Sequence, residues 1–454
     1  MTESIRTILD HTSPLEHPRG DRFPLFVWGA QHPGTDNEPE IIDVLSQLDE
    51  RGIPLISAWR METRDASLAN GIRVGRLQQD AGLTVTVNAN DILHRFFNGD
   101  PDTAHIDEQG NRFFDDSFDP KVSIGCPFAI NHRIPEIRDR VVHFAAAYRN
   151  AGIRIDLTFA DWEIDGPIEW NGAWEASRRC TRCCANIPDM DDFESFQTAL
   201  RSIRSRLQRE AYSDVLLEHF PDSRVGNYAV YPHSGERYWY DYFEAFPNAG
   251  PSRQDQKAQA RPWAAEFPST GYNLAMPVIY TWYRTFDWYD FDETDYRWFY
   301  NMLQVASNAG QHAGDIPLLS FVHWHTTAAP PNPDPEVRQM SETAYRELLW
   351  HTLLRGHDGL FLWCQKPEIA KELKLLHSVY AESLKHADIL TNGIPLTFAI
   401  PESASAVVSA VRHGNDILAR CTPFGQQTWA DLTIGEKTLR IDAGSHCKLL
   451  RTEP

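Results

Sequence analysis

The 454-residue sequence has no apolar run approaching the roughly 18 residues that a membrane helix needs. Its opening residues, MTESIRTILDHTSPLEHPRGDRF, hold no apolar stretch of signal-peptide length either. These absences predict a soluble, cytoplasmic chain with no membrane partner; secretion stays open, because a leader removed earlier leaves no trace. Runs rich in Lys and Arg are also missing, and the formal net charge is −20. A protein of that sign repels phosphate backbones, so nucleic acid is not an expected partner. Gly-rich phosphate loops, Ser-centred nucleophile elbows, internal repeats and low-complexity segments are absent too. Cysteine is sparse and odd in number, seven in all, which does not suit a disulfide framework. Cys180, Cys183 and Cys184 lie close together in RRCTRCCAN and superficially suggest a metal. No second ligand pair at defined spacing stands out, so free or partly paired thiols are the expectation, with no metal and no cofactor.

What is abundant is aromatic: 11% of residues, including 14 Trp, many of them in runs such as ERYWYDYFEAF and YTWYRTFDWYDFDETDYRWFY. Such runs supply core, and flat faces on which sugar rings stack. Eight short β-branched or aromatic runs recur along the chain, at 23–31, 53–60, 83–90, 155–163, 224–231, 274–282, 316–324 and 359–364. Helical patterns such as EIIDVLSQLDERG and IRDRVVHFAAAYRNAG lie between them, several closing on a Gly just before the next run. Strand, crossover helix and parallel strand repeated eight times predict an α/β fold, a (β/α)8 TIM barrel over residues 1–390. Residues 391–454 alternate in short runs broken by turn signals at GND and IGEKTL, which predicts a small antiparallel, sandwich-like β-module.

Barrel active sites form at the carboxyl ends of the strands. The fourth run ends FADWEIDGP, and alternation along an extended chain puts Asp161, Glu163 and Asp165 on one face. Crowded carboxylates cannot all ionise cheaply, so one keeps its proton near neutral pH. Glu163 is then the expected proton donor to a leaving glycosidic oxygen, tuned and oriented by Asp161. A solvated acidic loop is the plainer alternative. A two-carboxylate retaining enzyme needs a second acid roughly 5–5.5 Å away. The seventh run ends FVHWHTT with no acid, and the sixth reaches Asp287 only late. That favours attack by the substrate's own 2-acetamido oxygen, with Asp287 as the reserve nucleophile.

The motif DWEIDGP resembles that of the hyaluronidase family of glycoside hydrolases, although Asp165-Gly166 stands where the family has Trp-Arg. The resemblance implies an acid/base role for Glu163 and an acetamido-positioning role for Asp161. VGNYAVYP, MPVIY and GLFLWC are similar to the family's segments at the fifth, sixth and eighth strands. They imply an acetamido pocket built by Tyr228, Tyr280 and Trp363. The implied function is a retaining hydrolase of N-acetylhexosamine-containing oligo- or polysaccharides. Further expected substrate contacts are Asp165, Asn88, Asn90, Arg60, Tyr231, Trp282, His323 and His325. Asn88, Asn90 and Arg60 are equally well explained as turn chemistry; for the His323–His325 pair, lining the sugar cleft is favoured over a metal-ligand role. Three rivals stay open: a two-carboxylate glycosidase, a carbohydrate-binding barrel without catalysis, and a metal-dependent hydrolase.

Overall fold

The computed structural model describes residues 1–451 apart from 94–95, 98, 118–122, 162–170, 234–265, 281–290, 325–337 and 365–366. Short parallel strands occupy seven of the eight expected runs: Phe26–Val27, Ile56–Ala58, Thr86–Asn88, Leu157–Ala160, Arg224–Asn227, Leu319–Val322 and Gly359–Leu362. The sixth run carries no assigned strand. It forms parallel bridges Ala275–Leu318 and Val278–Phe321 on one side. On the other, Met276 N donates to Val230 O and Ala229 N to Met276 O, both at 3.0 Å.

The registers Ser57–Val87, Val87–Thr158 and Thr158–Val225 join the second run to the fifth. Phe321–Phe361 and Phe361–Phe26 join the seventh to the eighth and the eighth to the first. A parallel bridge, Gln31–Ile56, links the first to the second. Backbone pairing thus passes through all eight runs in sequence order and returns to its start.

Helices stand between these runs because their sequences are amphipathic and capped. In Glu38–Asp49 the buried residues Ile41, Val44, Leu45 and Leu48 fall at helical spacing on one face. Side chains of Asn37, Asp192 and Ser341 accept from backbone N–H groups of the first turns of Glu38–Asp49, Phe193–Gln208 and Glu342–Leu353. No helix among the described residues is long and apolar enough to cross a membrane.

The interior holds a layer of touching aromatic rings drawn from strands far apart in sequence. Phe361 lies 4.5 Å from Phe321, 4.9 Å from Phe159 and 5.6 Å from Phe26, centroid to centroid. All four are fully buried. This layer joins the first, fourth, seventh and eighth runs, and it sets the level above which the site is built.

The C-terminal region is antiparallel, as its turn signals predict. Ile394–Pro395, Val407–His413, Asp416–Thr422 and Lys448–Arg451 form one sheet, and Trp429–Ile434 pairs with Lys437–Asp442. His413 pairs with Asp416 across a two-residue turn whose Gly414 has φ +59°, a conformation that favours glycine. The region docks on the helix Glu342–Leu353 through a buried polar network. The Arg420 guanidinium donates to both Glu347 carboxylate oxygens, at 2.6 and 2.5 Å. His351 bridges Ser409 Oγ (2.7 Å) and Thr422 Oγ1 (2.9 Å), and burial keeps its imidazole pKa well below the ordinary value. Glu347→Ala leaves a buried guanidinium without its counter-charge, so a stability loss of about 3–5 kcal/mol is expected in urea unfolding. A loss under about 1 kcal/mol would show that water reaches Arg420 and replaces the carboxylate.

Candidate active site

The site follows from strand alternation applied to the aromatic layer. Successive side chains of a strand point to opposite faces, so a residue two positions on shares its predecessor's face. Asp161 stands two residues beyond Phe159, His323 two beyond Phe321, and Trp363 two beyond Phe361. Each therefore rises one level above the ring layer, towards the carboxyl ends of the strands.

Tyr228 N donates to Ala160 O at 2.9 Å, which puts Tyr228 on the strand end beside Asp161. Immediately after it Ala229 is held at φ +60°, a left-handed conformation that strains a non-glycine residue and turns the chain just past Tyr228. The Tyr228 and Tyr280 hydroxyls lie 2.9 Å apart. Tyr280 stacks on Trp363 with centroids 5.5 Å apart and planes 10° from parallel. His323 stands edge-on to both rings, 5.5 Å from Tyr280 and 5.7 Å from Trp363. Tyr228 also meets Phe321 edge-on at 5.0 Å, seating the group on the aromatic layer.

Asp161 is half-buried as a residue, but its Oδ1 is enclosed and has no hydrogen-bond partner among the described residues. Loss of water around the carboxyl raises its pKa from 3.8 to about 7, because burial disfavours the charged form. An enclosed carboxyl oxygen with an open acceptor, on the strand end next to that of Tyr228, is suited to receiving an N–H donor from a ligand.

The sequence did not point to Glu372, which organises one wall. Its carboxylate accepts from His323 Nδ1 (2.8 Å), Trp324 N (2.6 Å) and the Tyr345 hydroxyl (2.8 Å), and it is almost fully buried on the helix Ile369–Ser383. Its only signal in the sequence is a second glutamate, Glu368, one turn earlier.

The remaining expected residues fall in four groups. Asn88 is buried, and its Oδ1 accepts from Asn90 N at 2.9 Å at the start of the short helix Asn90–Leu93. That is the turn chemistry weighed for this pair. Arg60 is exposed and borders a separate cavity of about 260 Å³ with Gln31, Ser57, Ser67 and Asn70, between the first two strands and the helix Arg64–Asp80. Tyr231 is buried against His233, centroids 4.9 Å apart. Glu163, Asp165, Trp282, His325 and Asp287 lie outside the described residues.

No protein-family model matches the chain, and no curated protein matches it. Solved structures similar to it include several carbohydrate-active enzymes. Bee venom hyaluronidase is 14% identical, over 66% of this chain and 84% of its own, with TM-score 0.34. The β-amylase catalytic domain of Paenibacillus polymyxa is 10% identical, over 81% and 99%, with TM-score 0.42. The α-galactosidase of Lactobacillus brevis is 10% identical, over 95% and 55%, with TM-score 0.46. Likenesses this loose decide neither fold family nor activity; the residues themselves carry the reading.

Proposed function

We propose that the chain is a (β/α)8-barrel glycoside hydrolase that cleaves N-acetylhexosamine glycosides with retention, using the substrate's 2-acetamido group as the nucleophile. The observation that carries this reading is the convergence of Asp161, Tyr228, Tyr280 and Trp363 one level above the aromatic layer. In the proposed reaction Glu163 donates a proton to the glycosidic oxygen as the bond to the anomeric carbon breaks. The acetamido oxygen attacks that carbon from the opposite face, giving a cyclic oxazolinium-like intermediate. Asp161, as carboxylate, accepts the acetamido N–H and stabilises the positive charge that develops there. The tyrosine hydroxyls hold the acetamido oxygen in attacking position, and the Trp363 face packs the methyl group. Glu163, now ionised, removes a proton from water as it attacks the anomeric carbon, and the second inversion restores the starting configuration.

Matched aryl glycosides with and without the 2-acetamido group test this. Turnover is expected only for the acetamido substrate, with competitive inhibition by the thiazoline analogue of the cyclic intermediate. Glu163→Gln should lower the rate by about 10²–10⁴-fold while sugar binding survives. Comparable turnover of the substrate lacking the acetamido group would end the proposal.

A further inference from the structure

Away from this site, four side chains with the chemistry of soft-metal ligands converge. His105, Cys126, Cys180 and Cys183 are all buried, and one ligand atom of each lies within 4.8 Å of every other. Cys126 Sγ is 3.6 Å from Cys183 Sγ and 3.8 Å from Cys180 Sγ, and His105 Nδ1 is 3.8 Å from Cys183 Sγ. A tetrahedral zinc with Zn–S bonds near 2.3 Å and a Zn–N bond near 2.0 Å has edges of about 3.8 Å between sulfurs and about 3.6 Å from nitrogen to sulfur. The three separations given lie within about 0.2 Å of those edges, and the other three are bounded by 4.8 Å. They are far too long for a disulfide, and all seven cysteines are unpaired with one another.

The backbone is shaped to make this cluster. Cys180 caps the short helix Thr181–Asn186 and Cys183 lies within it, giving the two-residue spacing common in zinc sites. His105 comes from the two-stranded pair His105–Ile106 and Arg112–Phe113, its ring stacked on Phe113 at 5.1 Å. Cys126 N donates to Thr103 O at 2.7 Å, and a Cβ on Gly125 would lie 2.2 Å from that same oxygen. Only glycine allows the 125–126 backbone so close to the His105 strand. Thr181 Oγ1 and Arg182 donate to the carbonyls of Ile106 and Ala104, at 3.2 and 3.4 Å, tying the two segments together around the cluster.

We propose that His105, Cys126, Cys180 and Cys183 form a structural Cys3His zinc site. Four protein ligands close the tetrahedron, which leaves no open position for substrate or water; the site is built for cross-linking and not for chemistry. Mixed thiolate and imidazole donors in this geometry select zinc over hard cations such as magnesium or calcium. The metal staples the segment after the third strand to the segment after the fourth, whose sequence begins DWEIDGP.

The test uses the full chain purified under reducing conditions without added metal. Elemental analysis is expected to find about one zinc per chain, and exchange for cobalt to give the intense visible bands of a tetrahedral thiolate site. Cys126→Ser and Cys183→Ser should each lose the bound zinc, Gly125→Ala should weaken it, and the exposed Cys184, outside the cluster, should tolerate Ser with full zinc content. Loss of fold in the variants would mimic loss of a ligand, so metal-free wild type supplies the second readout. Adding Zn²⁺ alone to that protein should protect three thiols from alkylation and raise its melting temperature. Folded, reduced wild-type chain that takes up no zinc, or protein purified without reductant in which two of the three cysteines are disulfide-linked, would overturn the proposal.

Discussion

Asp161→Asn is expected to make the protein more stable and less active at the same time. The carboxyl pKa is raised from 3.8 to about 7 by loss of water, and the sign of the stability effect follows. Below pH 3.8 the group is protonated in folded and unfolded chains alike and contributes nothing. Between 3.8 and about 7 the unfolded chain releases its proton while the folded one retains it, so folding weakens as pH rises. Above about 7 the penalty is complete, at most about 4 kcal/mol for a shift of this size. The asparagine amide keeps a desolvation cost of its own, so a net gain of about 2 kcal/mol above pH 8 is expected, shrinking towards zero at pH 4. Urea unfolding of both proteins at the two pH values measures it; an equal change at both, or a loss at pH 8, contradicts the argument. Activity should fall by about 10²–10³-fold, since the amide cannot carry the negative charge opposite the developing cation. In the parent, kcat/KM should fall below pH 7 by about tenfold per unit as Asp161 takes up its proton. A functional group held against stability in this way is the usual cost of an active site.

Glu372→Ala is expected to be the most damaging single change in the wall of the pocket. One carboxylate satisfies His323 Nδ1, the Trp324 backbone N–H and the Tyr345 hydroxyl, all within 2.8 Å. Removing it leaves three donors without their acceptor in a buried place. At about 1–3 kcal/mol for each unsatisfied group, a loss of about 3–5 kcal/mol is expected after partial relaxation. His323 is edge-on to Tyr280 and Trp363, so its displacement should also loosen the stacked pair and raise KM more than it lowers kcat. Glu372→Gln offers an acceptor oxygen and should recover part of both. If the glutamine variant is as unstable as the alanine one, the charge, and not the hydrogen-bonding oxygen, is what the wall requires.

The sequence singles out Asp161, Tyr228, Tyr280 and Trp363 because each lies at the end of a run with readable period-two alternation. Once the runs pair in order, such positions are bound to meet at one end of the sheet. Arg60 follows its strand too, and it borders a cavity beside the Arg64–Asp80 helix. Glu372 was not legible. A helix with glutamates at 368 and 372 resembles any solvated helix face until the seventh run packs against it. The C-x2-C pair at Cys180 and Cys183 was visible, but its partners were not. Cys126 is 54 residues from Cys180 and His105 is 78 from Cys183, each an isolated residue in its own segment. Ligands contributed singly by a hairpin and a loop have no spacing rule, and only the close backbone approach at Gly125 brings them together.

The contact among Phe26, Phe159, Phe321 and Phe361 gives the molecule a closed floor. In the proposed reaction, sugar, departing alcohol and water would all reach Asp161 from the side of the rings that carries it. On that proposal leaving group and nucleophile share one approach, so the alcohol would depart before water arrives.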